Sequence, residues 1–276
     1  MSAVATASYY TLVEDVVGRL EDALSGGALS VTAATRAQRV ALGLRLGLIS
    51  RAYAVGSLAD TPTAHAAMYD SLRAMCEAAG HLSWMVDVLG AVEERSGCIE
   101  LGQARAEVNN RTKLLTAHGA SWVDEEGRRP QADALESAKR MLAAAQRADA
   151  SPCRHCRGSG RDQGHAAAWL RQRATREGAT RAELDLYSLW VGCSADTHQL
   201  VPQRFARDDG NWLELTTPEV ARVVTWAIDV LLTCAPMIAG VVRAESVPKV
   251  EAVATWWDDL MRAVASTAES VPGDAE

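Results

Sequence analysis

Apolar positions along the chain recur at alternating spacings of three and four, and no stretch shows sustained alternation with β-branched enrichment. The clearest pattern runs from His65 to Asp87. Met68, Leu72, Met75, Ala79, Leu82, Val86 and Leu89 fall on one continuous stripe of a helix. Arg73, Glu77, His81 and Trp84 follow one another along a second side. This segment reads as the central helix around which the others are arranged. Asp60-Thr61-Pro62 is expected to start it, because a capping side chain before an early proline is a helix entry. It is expected to continue to about Arg95, where Ser96-Gly97 would break it.

The same periodicity predicts helices elsewhere. Ser8 to Leu24 carries Tyr9, Leu12, Val16 and Leu20 on one side, and Thr35 to Leu58 carries Val40, Leu44, Leu48 and Val55. In that second helix Arg45 and Arg51 must reach solvent or a carboxylate. Further helices are expected over Ile99–His118, Ala132–Ala148, His165–Glu177 and Thr180–His198, the last with Leu184, Tyr187, Val191, Ser194 and His198 on one face. Between two of these, Ser121 to Gln131 is charged, contains Gly127 and Pro130, and reads as a loop. Thr216-Thr217-Pro218-Glu219 combines a capping box with an early proline and opens an apolar helix ending near Val242. A last helix runs from Pro248 to Ala265. The expectation is an all-α bundle of about eight or nine helices in a single domain over residues 1–276, with a Cys-containing loop inserted at 150–164.

Composition changes this picture little. With 276 residues, 48% hydrophobic and 23% charged, the chain can bury a full core. A net charge of −7 excludes a globally basic, sequence-indifferent nucleic-acid surface. A local basic stretch remains, from Arg154 through Arg157, Arg161, Arg171, Arg173 and Arg176 to Arg181, and it reads as a solvated surface or as an anion or RNA contact. Six cysteines, most of them isolated in sequence, and an acidic N-terminal segment without a basic region point to a reducing, cytoplasmic setting. The run Val223 to Val242 has one charge, Asp229, and contains Pro236. An acid at mid-span costs roughly 2.5–3.5 kcal/mol on insertion scales, so a buried bundle helix is favoured over a membrane span.

The sharpest local motif is Cys153-Arg-His-Cys156-Arg-Gly158-Ser-Gly160. Two thiolates three residues apart can grip one metal from a tight turn, and the glycines let the backbone fold back toward the sulfurs. The eight residues resemble one unit of the CxxCxGxG zinc repeat of DnaJ-type chaperones, where four units build two sites. One unit does not imply chaperone activity. The resemblance implies a structural zinc on Cys153 and Cys156, with His155, His165, Cys98, Cys193 or a second chain completing a tetrahedral set. Free thiols on a glycine-rich loop, or a redox pair, are the alternatives.

Two further arrangements could carry chemistry. Arg73 and Glu77 are one turn apart on the central helix, and Tyr187 and His198 are three turns apart on a later one; if those faces meet, a polar cluster results. Arg111 and His118 have the loose spacing of the HEPN ribonucleases, a spacing that chance supplies readily in an arginine-rich chain. In general style the chain is similar to helical proteins of GC-rich bacteria and their phages, and its architecture looks like a HEPN-type bundle. The expected role is therefore interaction or regulation, in a stress or phage-defence setting, by a homo-oligomer with an RNA or protein partner. The alternatives are a HEPN-like ribonuclease or nucleotide-handling enzyme using Arg73 or Arg111 with His198 or His118, and a membrane-associated protein.

Overall fold

The computed structural model describes residues 8–24, 35–88, 90–117, 125–148, 162–177, 181–198 and 215–269. Among the described residues there are nine α-helices and no strand: α1 Tyr9–Leu24, α2 Arg36–Ala59, α3 His65–Val86, α4 Val92–Ala117, α5 Glu125–Ala148, α6 Asp162–Thr175, α7 Arg181–His198, α8 Thr217–Val242 and α9 Val247–Glu269. Short 3-10 turns, Pro62–Ala64 and Ala244–Ser246, lead into α3 and α9.

Helix α3 is central in the physical sense. It packs against α2, α4, α6, α7 and α8, more helices than any other element packs on. Met68, Leu72, Met75, Ala79 and Leu82 are all fully buried, as their spacing requires. Helix α8 lies beside it and also packs on α1, α2 and α9, burying thirteen residues from Val220 to Val242. By length and composition α8 could cross a membrane, but most of its apolar surface is enclosed by its neighbours in the bundle. It runs through Pro236 without a break. One proline removes a single backbone hydrogen bond, and packing on several sides outweighs that loss.

Capping follows the sequence at two starts. Thr35 and Gln38 exchange side-chain-to-backbone bonds at the head of α2, at 3.2 and 2.9 Å. Glu219 accepts from both the backbone N–H and the hydroxyl of Thr216 at 2.8 Å, fixing the head of α8. Arg45 meets Glu21 of α1, the carboxylate it needed. Elsewhere caps come from afar. Asp60 does not cap α3; its two carboxylate oxygens accept from the N–H groups of Tyr9 and Tyr10 at 3.1 and 3.2 Å, so it caps α1 across the fold. Glu93 of α4 likewise accepts from the Ala37 N–H in the first turn of α2 at 3.3 Å.

Two sequence expectations need correction. The central helix ends at Val86, not Arg95, and Ser96-Gly97 lies inside α4. The break occurs instead at Gly90, whose φ of 89° suits glycine and not a side chain with a Cβ. Residues 125–131 are the opening turns of α5 and not loop; Pro130, sixth in the helix, removes only the one backbone bond its N–H would have made. On α7, among the side chains described, Leu186 and Cys193 are buried, Tyr187 packs against the core and Val191 is 43% exposed.

Candidate functional site

Helices α7 and α8 both rest on α3, but they stand apart from each other, and α9 closes one end of the gap. The space between them is a groove of about 840 Å³. Its apolar lining comes from Leu186 and Leu189 of α7 and from Trp226 and Val230 of α8. Its polar lining is acidic: Asp185, Asp229 and Asp258, one from each helix, border the same space, and among the described residues no arginine, lysine or histidine lines it. A smaller hollow of about 230 Å³ continues along α7 and α8, sharing Ser188, Leu189 and Trp226 with the larger one, and carries Arg222 at its far side.

Asp229 is the pivotal residue. It is the one charge in the apolar run of α8, and it is exposed within the groove while the rest of its turn is buried. The indole N–H of Trp257, on α9, donates to its Oδ1 at 2.9 Å. Crowding by the three helices pushes the Asp229 carboxyl upward from its ordinary value of 3.8, the Trp257 bond opposes that, and Asp258 and Asp185 add to the rise. The groove thus concentrates negative charge beside an aromatic wall.

A second cluster joins α3, α4 and α6. Arg95, 4% exposed, donates through Nη1 to the carbonyl of Trp84 and lies 4.0 Å from Asp87 Oδ2. Its guanidinium carbon is 5.1 Å from the Trp84 ring centroid and 5.9 Å from that of Trp169. Arg173 covers the Trp169 ring at 5.2 Å and meets Asp87 Oδ1 at 2.9 Å. The Trp169 N–H donates to Ser83 at 3.2 Å. Close approach of α6 to α3 makes this possible: a Cβ on Gly80 would stand 3.1 Å from the Ala166 carbonyl oxygen. Arg95 Nε has no hydrogen-bond partner among the described residues. Arg95 and Trp84 are buried at its centre, Asp87 lies at its exposed edge, and none of its residues lines either of the two hollows.

Of the expected polar cluster, the side chains of Arg73, Glu77 and Tyr187 are among the described residues. Helices α3 and α7 do pack together, and Arg73 Nε pairs with Glu77 Oε1 at 3.2 Å. Both side chains are partly exposed, which makes this a pair worth about 0.3–0.5 kcal/mol. Tyr187 is half-buried and stacks on Trp190 of its own helix at 6.4 Å. His198 ends α7, and its side chain lies outside the described residues. Arg111 donates to Glu107 at 2.7 Å and to Gln131 at 2.9 Å, tying α4 to α5; His118 lies outside the described residues.

The zinc motif cannot be placed in the same way, because Cys153, His155 and Cys156 lie outside the described residues, as does the side chain of His165 on α6. Cys98 on α4 and Cys193 on α7 are buried. Among the described residues no group of three or more His, Cys, Asp or Glu side chains could hold a metal ion. Burial pushes the Cys76 thiol well up, with Cys193, Cys234 and Glu77 nearby adding to the rise, and pushes Cys234 up to about 12. Both are therefore thiols, not thiolate nucleophiles, at neutral pH.

Sequence reasoning missed the groove and the Arg95 cluster. Asp229 had a visible signal, a lone acid in an apolar helix, but its partners Trp257, Asp185 and Asp258 are distant in sequence. No family model, no curated protein and no solved structure matches the chain.

Proposed function

We propose that the protein is a helical binding protein of an interaction or regulatory kind, and that its groove between α7, α8 and α9 takes an organic cation with an apolar body, such as an alkyl- or arylammonium compound. One observation carries the reading: three carboxylates from three helices line a groove walled by Leu186, Leu189, Trp226 and Val230, with no basic residue among its described lining. The volume falls in the range of small-molecule sites. An ammonium group there would meet Asp229 and Asp258, and the Trp226 face offers further attraction to a cation. The same charges repel a polyanion, so the groove does not suit RNA.

Calorimetric titration with a series of alkyl- and arylammonium compounds, using carboxylates of matching shape as controls, tests the reading. Ammonium compounds should bind, carboxylates should not, and Asp229→Asn/Asp258→Asn should weaken binding at least about tenfold, equivalent to about 1.4 kcal/mol. Equal affinity for both charge types, or no binding by either, ends it. The reading also retains a zinc-stabilised loop at Cys153 and Cys156. Metal near one equivalent per chain, lost in Cys153→Ser/Cys156→Ser, is the result expected from elemental analysis.

A further inference from the structure

The groove and the smaller hollow beside it form one trough between α7 and α8, because Ser188, Leu189 and Trp226 line both. The two ends of this trough differ in charge. At the α9 end stand Asp185, Asp229 and Asp258. At the other stands Arg222, the one basic side chain on the described lining of either hollow. Helix periodicity sets these ends in line. Arg222, Trp226 and Asp229 follow at four and three on α8, so a cation, an aromatic ring and an anion share one side of that helix. Seven residues of helix separate Arg222 from Asp229, a rise of about 10 Å.

Nothing in the fold engages Arg222 among the described residues: it is exposed, and it makes no ion pair or hydrogen bond there. Glu219 lines the same end, but its Oε2 already accepts from the N–H and the hydroxyl of Thr216 at 2.8 Å, where it caps α8. Tyr69, from α3, and Ser188 bring hydroxyl groups to the lining. The α7 side of this end is open, since a Cβ on Gly192 would meet no atom within 4 Å. An anion of small size therefore has both a charge partner and room. We infer that the trough takes a zwitterion, an ω-amino carboxylate whose ammonium lies among the three aspartates, whose chain crosses Leu189 and Trp226, and whose carboxylate pairs with Arg222. This rests on the ammonium reading of the groove and narrows it, because a plain alkylammonium leaves the Arg222 end unanswered. The charges also fix the direction of the ligand. Reversed, it would set like charges together at both ends.

Calorimetric titration of the full chain with ω-aminooctanoate, whose extended length matches the span, tests it against ω-aminooctanamide, which has the same shape without the negative charge. The acid should bind about fivefold more tightly than the amide, the upper range for an exposed ion pair. Arg222→Gln should bring the two to equal affinity, and Arg222→Glu should turn the preference toward the amide, with circular dichroism confirming that both variants remain helical. The shorter ω-aminobutyrate cannot reach both ends and should show no preference over its own amide. Equal affinity of wild-type protein for ω-aminooctanoate and its amide overturns the inference, as does a preference that survives Arg222→Gln or one that ω-aminobutyrate shares. In those cases the ammonium reading stands if the amide still binds and Asp229→Asn/Asp258→Asn still weakens it. Binding by none of these amines ends both.

Discussion

Arg95 and Asp229 are both charged side chains held by tryptophan, yet the fold treats them in opposite ways. Arg95 is enclosed: the Trp84 carbonyl, the Trp84 and Trp169 rings and Asp87 surround it, and it is 4% exposed. Asp229 has one indole donor, from Trp257, and otherwise borders an open groove shared with two more carboxylates. A charge answered by the protein's own groups is structural, because removing it leaves those groups unpaired in a dry place. A charge facing a cavity among like charges has affinity to offer a ligand. The two sites have similar ingredients, and the geometry around them assigns their roles.

The sharpest way to break this comparison is Arg95→Ala. It strips the cation from two rings and a carbonyl and opens a cavity at the junction of α3, α4 and α6, so it should cost about 3 kcal/mol of stability in urea unfolding. A loss near zero would show that the cluster is not structural. Gly80→Ala probes the same junction from the other side. Its Cβ would press on the Ala166 carbonyl oxygen and on Leu170, both at 3.1 Å. The cost should be about 1–2 kcal/mol even though alanine favours helix over glycine.

Asp229→Asn should separate binding from stability. An amide keeps an acceptor for the Trp257 indole, so the fold is retained while ammonium binding falls. Its pH signature has a definite sign. The folded protein holds the Asp229 proton to higher pH than the unfolded chain does, so ionising this group removes stability as pH rises above its ordinary value of 3.8. The stability of Asp229→Asn relative to wild type should therefore increase through that window and level off once Asp229 is ionised in the fold. A relative stability that falls with pH would contradict the raised carboxyl. The smallest effect is expected at Arg73→Ala, about 0.3–0.5 kcal/mol, because its pair with Glu77 is partly exposed. A loss several times larger would mean that the pair is tied into the α3–α7 packing.

How far the chain can be read in advance depends on the range of the interactions involved. The helices of the bundle, the stripe of α3 and the capping pair Thr216–Glu219 act over a few residues, and periodicity and side-chain chemistry reveal them. The end of α3 is not legible in the same way. Ser96-Gly97 looks like a stronger stop than Gly90, whereas the carbonyl of Trp84, two residues before the helix ends, is satisfied by Arg95 from the next helix. Asp60 misleads for a related reason. Its own helix start is nearer in sequence, but the orphan donors it satisfies belong to α1, at Tyr9 and Tyr10.

The sequence by itself determined that the chain is all-α, where most of its helices lie and which face of α3 is buried, since those follow from spacing along one stretch of backbone. Only the tertiary structure decided which charges are enclosed and which face a cavity. Asp185, Asp229 and Asp258 lie on separate helices; Asp229 stands out as the lone acid of an apolar run, but nothing local ties it to the other two. They become one acidic site because α3 supports α7 and α8 apart and α9 closes the end, a consequence of packing between distant segments that no periodicity encodes.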